Sequence, residues 1–247
     1  MSIAQTRIRP TPVLLAIALA VAASGAAAQE SISKVNGSIN AQADQDYGDL
    51  DTVNGGIEVA SGGRSGDLET VNGGIKVGDD AGVGSVETVN GGIELGARAT
   101  AGSLETVNGR IRSGAQARIG GNVESVSGSV FIDRGSRVAG NIATVNGAIG
   151  LVGTEVTGDI STVNGDVTIG RGSHVHGGLE MEKPSSNWFP ITINRRNPRV
   201  IIGPDAVVDG TLEFKREVTL YVHSSAHTGA IHGATAIAYD SDHAPQE

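Results

Sequence analysis

Val86-Glu87-Thr88-Val89-Asn90-Gly91-Gly92-Ile93-Glu94-Leu95 is a phrase that this chain repeats. Eighteen residues earlier stands Leu68-Glu69-Thr70-Val71-Asn72-Gly73-Gly74-Ile75-Lys76-Val77, and eighteen later Leu104-Glu105-Thr106-Val107-Asn108-Gly109-Arg110-Ile111-Arg112-Ser113. The Val-Asn-Gly marker begins at Val35, Val53, Val71, Val89, Val107, Val145 and Val163, with Val126-Ser127-Gly128 as a degenerate copy. Its spacings are 18, 18, 18, 18, 19, 19 and 18 residues. A helical-pair repeat needs roughly 33 residues or more, so a period this short is one coil of a β-solenoid.

Apolar residues keep register with the marker. Three positions before it stand Leu50, Leu68, Val86, Leu104 and Val123, and four after it Ile57, Ile75, Ile93, Ile111 and Val130. Six after it come Val59, Val77, Leu95 and Ile132, while the intervening Glu58, Lys76, Glu94 and Arg112 are polar. Such alternation means strands with one face inward, and coils stacked about 4.8 Å apart turn each column into a buried ladder. The fold class predicted is all-β, a parallel β-solenoid of 18–19 residues per coil and roughly ten coils. The recurrent valine is assigned to the core, so Val107→Asp is expected to bury an unpaired charge. Asn-Gly is expected at corners needing positive φ, with the asparagines free to bond one another along the axis.

A second marker, V-x-G-x-I, sharpens from Val138 to Ile142, Val156 to Ile160, Val175 to Leu179 and Val208 to Leu212. The inward positions do not fall on a strict six-residue beat. That disfavours the left-handed hexapeptide solenoid and points to a right-handed coil.

Residues 1–28 are set apart as a secretory signal peptide. Arg7 and Arg9 precede an apolar run from Val13 to Ala23, and Ala26-Ala27-Ala28 offers a cleavage site before Gln29. The solenoid repeats are placed at 29–183, a loop insertion at 184–198, further coils at 199–233 and a disordered acidic tail at 234–247. The location expected is the periplasm, the cell surface or outside the cell, with no membrane span once the signal is removed. Beyond residue 28 the chain carries 16 basic and 27 acidic side chains and no cysteine. Such a surface argues against nucleic acid as a partner, and without disulfides the fold must be stabilised by packing.

Ser136-Arg137-Val138-Ala139-Gly140-Asn141-Ile142, Gly153 to Ile160, and Thr162-Val163-Asn164-Gly165-Asp166-Val167-Thr168-Ile169-Gly170 resemble bactofilins. These bacterial polymer-forming proteins are compact right-handed β-helices that join end to end. The resemblance is clearest over 116–180 and returns near 200–233; it implies self-association. Bactofilins are usually cytoplasmic, and the export signal sets this chain apart from them. The amino-terminal coils also resemble adhesin-type bacterial solenoids, which repeat a similar Asn-Gly-x-Ile phrase. The function expected is an exported structural or scaffolding protein assembling through its ends. The alternative is an adhesin-like module that recognises an envelope or glycan partner through a solenoid face.

Residues that could carry chemistry are few. Asp51, Glu69, Glu87, Glu105 and Glu124 form an acidic column, but no calcium-binding repeat motif accompanies it. Histidines gather late, at His174, His176, His223, His227 and His232; of these His223, His227 and His232 are the candidate metal ligands. The plainer reading is that the last coil is an open end where polar residues are tolerated. Within the insertion, Trp188, Phe189, Arg195 and Arg196 form the candidate partner contact, because Trp and Arg favour interface centres. No cofactor and no catalytic residues are expected: coils of this length leave no long loops to wall a cleft.

Overall fold

The computed structural model describes residues 29–43, 45–184 and 197–245, and these form an all-β parallel solenoid of about eleven coils. The signal-peptide reading of 1–28 lies outside the described residues, as does most of the insertion. Among the described residues no helix is long and apolar enough to cross a membrane.

Three sheets run along the axis. The first face has eleven strands, from Glu30–Asn36 to Ile231–His232, and the second has eleven, from Ile39–Ala41 to Ala236–Tyr239. The third face has seven, from Thr100–Ala101 to His227–Thr228; single bridges through Asp46, Arg64 and Gly82 prolong it towards the amino-terminal end. At the strand spacing, eleven coils extend about 50 Å.

Register follows the repeat. Leu50, Leu68, Val86, Leu104, Val123, Ile142, Ile160, Leu179 and Leu212 lie opposite one another on successive coils and are fully buried. The second face stacks Ile57, Ile75, Ile93, Ile111, Val130, Ile149 and Val167 in the same way. Each such side chain contributes up to about 1.5–3 kcal/mol, and it does so only when a neighbouring coil covers it. Across the insertion the pairing resumes without slip, Val167 opposite Val200 and Leu179 opposite Leu212. The ladder is therefore unshifted between the coils on either side of the insertion.

Three expectations need correction. The recurrent valine is not in the core: Val126 and Val145 are 41% and 40% exposed, whereas Ser125 and Thr144 before them are buried. Alternation from Leu104 puts Thr106 inward and Val107 outward, and the Thr106 hydroxyl donates to the Gly91 carbonyl of the preceding coil at 2.9 Å. Second, of the Val-Asn-Gly glycines only Gly37 has positive φ. The glycine is needed for close approach: a Cβ on Gly91, Gly109 or Gly128 would sit 1.9, 1.8 or 1.7 Å from the carbonyl oxygen of the glycine one coil below. Third, part of the stretch expected as a tail is a strand, Ala236–Tyr239, paired with Thr219–His223. Its Tyr239 ring is buried and the hydroxyl donates to the Ile202 carbonyl at 3.3 Å, which anchors the segment.

Candidate functional site

Among the described residues, strand parity brings three ligand-type side chains, His174, His176 and Asp209, into one group. In His174-Val175-His176 the valine points inward and is fully buried, so both histidines project from the third face. One coil on, Val207 pairs with His174 and Val208 with Val175, and Asp209 therefore falls beside His176. One coil back, Glu155 is the register partner of His174. The backbone fixes these positions: the N–H groups of His174, His176 and Asp209 donate to the carbonyls of Thr154, Val156 and Val175 at 2.8–2.9 Å.

The side chains converge. Asp209 Oδ2 lies 2.8 Å from His174 Nε2 and 3.0 Å from His176 Nδ1. The two imidazole centroids are 4.0 Å apart. His176 Nε2 faces Glu155 Oε1 at 3.5 Å, and the other oxygen of Glu155 accepts from Arg137 Nη2 at 2.5 Å. Hydrogen bonding from His174, then from His176, holds the Asp209 carboxyl below its usual range despite some desolvation. A shallow groove of about 240 Å³ runs alongside, bordered by Arg137, Glu155 and His174. That is smaller than the roughly 300–1,000 Å³ of ordinary small-molecule pockets.

The sequence candidates do not meet. His223 lies in a second-face strand, His227 in a third-face strand and His232 in a first-face strand. His223 Nδ1 is 2.9 Å from Ser225 Oγ and its ring packs edge-on against Tyr239 at 5.0 Å. His232 is opposite Glu213 in register. Trp188, Phe189, Arg195 and Arg196 lie outside the described residues.

What sequence reading missed was the pairing of His174 and His176 with Asp209. The i, i+2 histidines on a short strand were the available signal. The insertion pushes Asp209 far along the chain, so the 18–19-residue period does not lead to it.

Other outward columns stabilise or strain the coil. Asn36, Asn54, Asn72, Asn90 and Asn108 form an amide ladder with Nδ2–Oδ1 distances of 3.0–3.1 Å. Farther on, Asn164 Oδ1 accepts from Arg216 Nη1 at 2.8 Å. The acidic residues Asp51, Glu69, Glu87, Glu105 and Glu124 stand directly opposite one another. Partial burial, followed by repulsion from the adjoining carboxylates, raises Glu69, Glu87 and Glu105 above the usual glutamate range; Asp51 is raised by partial burial against a lowering bond from Ser33. Lys215 bridges Glu180 at 2.5 Å and Glu182 at 2.7 Å, beside the start of the insertion.

Comparison with known protein families, curated proteins and solved structures finds no match for this chain. The fold and the sites above therefore define the protein as a β-solenoid and assign it to no family.

Proposed function

We propose that the protein is an exported, non-catalytic scaffold that assembles through the ends of its solenoid. The observation that carries this reading is the state of the terminal strands. Among the described residues, Glu30–Asn36 and Ile39–Ala41 at one end, and Ile231–His232 and Ala236–Tyr239 at the other, each have a neighbour on one side only. Such edges present a row of unsatisfied backbone groups and template the addition of a further strand. The end strands also expose Val35 (67%) and Ile237 (47%). A solenoid gains stability with each added coil, so end-to-end docking of two copies continues the same ladders.

Support for export comes from the basic and apolar pattern of residues 1–28. Support for self-association comes in addition from the bactofilin-like phrases around 136–170. Short corners and a shallow surface groove favour a role without catalysis.

The test is negative-stain microscopy with analytical ultracentrifugation over a range of protein concentrations. Filaments or a concentration-dependent series of oligomers are expected. A monodisperse monomer at several hundred micromolar would sink the reading. Export is tested separately, by cell fractionation and by amino-terminal sequencing of the recovered chain, which should begin at Gln29.

A further inference from the structure

We propose that His174, His176 and Asp209 form a binding site for a divalent transition metal of the zinc, nickel and copper group. Independently of any assembly, the third face brings two imidazole nitrogens and a carboxylate oxygen together with all three ligand atoms within 4.8 Å of one another. Bonds of about 2.0–2.1 Å in tetrahedral geometry require ligand atoms roughly 3.3–3.4 Å apart. The 2.8 and 3.0 Å contacts to Asp209 need to open by a few tenths of an ångström, and the two imidazole nitrogens, within 4.8 Å of one another, need to close to roughly 3.4 Å. Three protein ligands on an outward face leave a fourth position to solvent.

A second observation is the donor count at His176. A neutral imidazole has one N–H and one lone pair, yet carboxylates face both nitrogens of this ring. One of those contacts must then set a lone pair against an anionic oxygen. Either a second ring proton or a cation between Nδ1 and Asp209 removes the conflict. With the cation in place, Nε2 keeps its hydrogen and donates to Glu155, and Arg137 holds Glu155 in place. A carboxylate behind the ligating imidazole fixes the tautomer and makes the ring a better ligand. Two nitrogen donors with one carboxylate suit zinc, nickel or copper, and suit calcium or magnesium poorly.

All three ligand backbones are held by inter-coil hydrogen bonds, so binding requires side-chain adjustment alone. Glu155 is a positioning residue here, since it would act through His176.

The experiment titrates Zn²⁺ into the untagged full-length protein, by calorimetry and by competition with a chromophoric chelator; Ca²⁺ serves as the comparison. One Zn²⁺ per chain should bind, far more tightly than Ca²⁺. His174→Ala, His176→Ala and Asp209→Asn should each weaken binding at least ~10-fold, and Glu155→Gln by roughly 10-fold. Zn²⁺ should raise the Tm of the unaltered protein and not that of His176→Ala. Melting curves of the metal-free variants confirm folding, and the isosteric Asp209→Asn keeps the test sound if an alanine variant fails. The proposal is overturned by absence of saturable Zn²⁺ binding, by undiminished binding in these variants, by equal affinity for Ca²⁺, or by binding lost only on replacing His223, His227 or His232.

Discussion

The hydroxyl of Thr106 donates to the carbonyl oxygen of Gly91, one coil below, at 2.9 Å. Thr70 and Gly55, Thr88 and Gly73, and Thr144 and Gly128 repeat the bond at 2.8, 2.9 and 3.3 Å. A polar residue thus occupies a core position because its hydroxyl satisfies a carbonyl at the glycine corner. Thr106→Val should cost about 1–2 kcal/mol, since it leaves the Gly91 carbonyl short of a buried partner. Thr162 is the internal control. Its hydroxyl is buried without a hydrogen-bond partner among the described residues, so Thr162→Val should be neutral or stabilising. Val107→Thr, on the outer face, should change stability by less than about 0.5 kcal/mol. Urea unfolding of the three variants checks the order; equal losses for Thr106→Val and Thr162→Val would refute the role given to the bond.

The two positions that follow Val-Asn at the corner should respond differently to substitution. A Cβ on Gly109 would meet the Gly91 carbonyl oxygen at 1.8 Å, and both partners are backbone, so the coils must part. Gly109→Ala should lose at least ~3 kcal/mol or fail to fold. The following position is open enough that other coils carry Arg110, Ser129, Ala148 and Asp166 there. At Gly92 a Cβ would lie 3.1 Å from the Arg110 carbonyl oxygen, so Gly92→Ala should cost less than about 1 kcal/mol. Thermal melts of the pair decide it.

The ladder of Leu104 and Ile111 was legible because aliphatic residues recur at fixed offsets and parallel strands in register need nothing else. Threonine and valine were misassigned for a physical reason. Hydrophobicity favours Val107 for the core, but strand parity counted from Leu104 favours Thr106, and one hydrogen bond to Gly91 makes the parity answer affordable. The glycine column was visible, yet its cause lay in the distance between neighbouring coils, which no single coil reveals. At the site, His174 and His176 could be seen on one strand. Asp209 could not be placed beside them until the insertion was known to leave the register intact.

Protonating the acidic column should stabilise the solenoid. Asp51, Glu69, Glu87 and Glu105 have their carboxyls raised, so the folded chain takes up protons at a higher pH than the unfolded chain does. For a raised group the favourable contribution is complete below the unfolded value and is lost as pH rises through the folded one. Tm should therefore climb as pH falls from neutrality towards about 5. Nearer pH 4 the opposing carboxyls of Asp80, Asp209 and Glu182, which are lowered, begin to lose their bonds. Replacing Glu69, Glu87 and Glu105 together by glutamine should raise Tm at pH 7 and flatten its rise on acidification. Added salt should narrow the difference by screening. A Tm that falls steadily from pH 7 to 5 in the unaltered protein would contradict this account.

The corner between the second and third faces holds a column of left-handed residues. Gly62, Gly135, Gly153 and Gly172 occupy it with φ of 74°, 71°, 50° and 65°, but Asp80, Arg98, Gln116 and Asp205 sit there as well, with φ of 59°, 58°, 62° and 55°. A side chain in that conformation costs roughly 1–2 kcal/mol, while glycine adds about 0.5–1 kcal/mol of chain entropy on folding. Gln116→Gly should therefore gain on the order of 0.5–1 kcal/mol, because the backbone N–H keeps its bond to the Arg134 carbonyl at 2.9 Å. Arg98→Gly should gain less, since it also removes the 2.6 Å pair with Asp80, which is exposed and contributes little. The reverse change, Gly135→Ala, should destabilise. If Gln116→Gly unfolds at a lower urea concentration than the unaltered chain, strain at this corner is not what the column relieves.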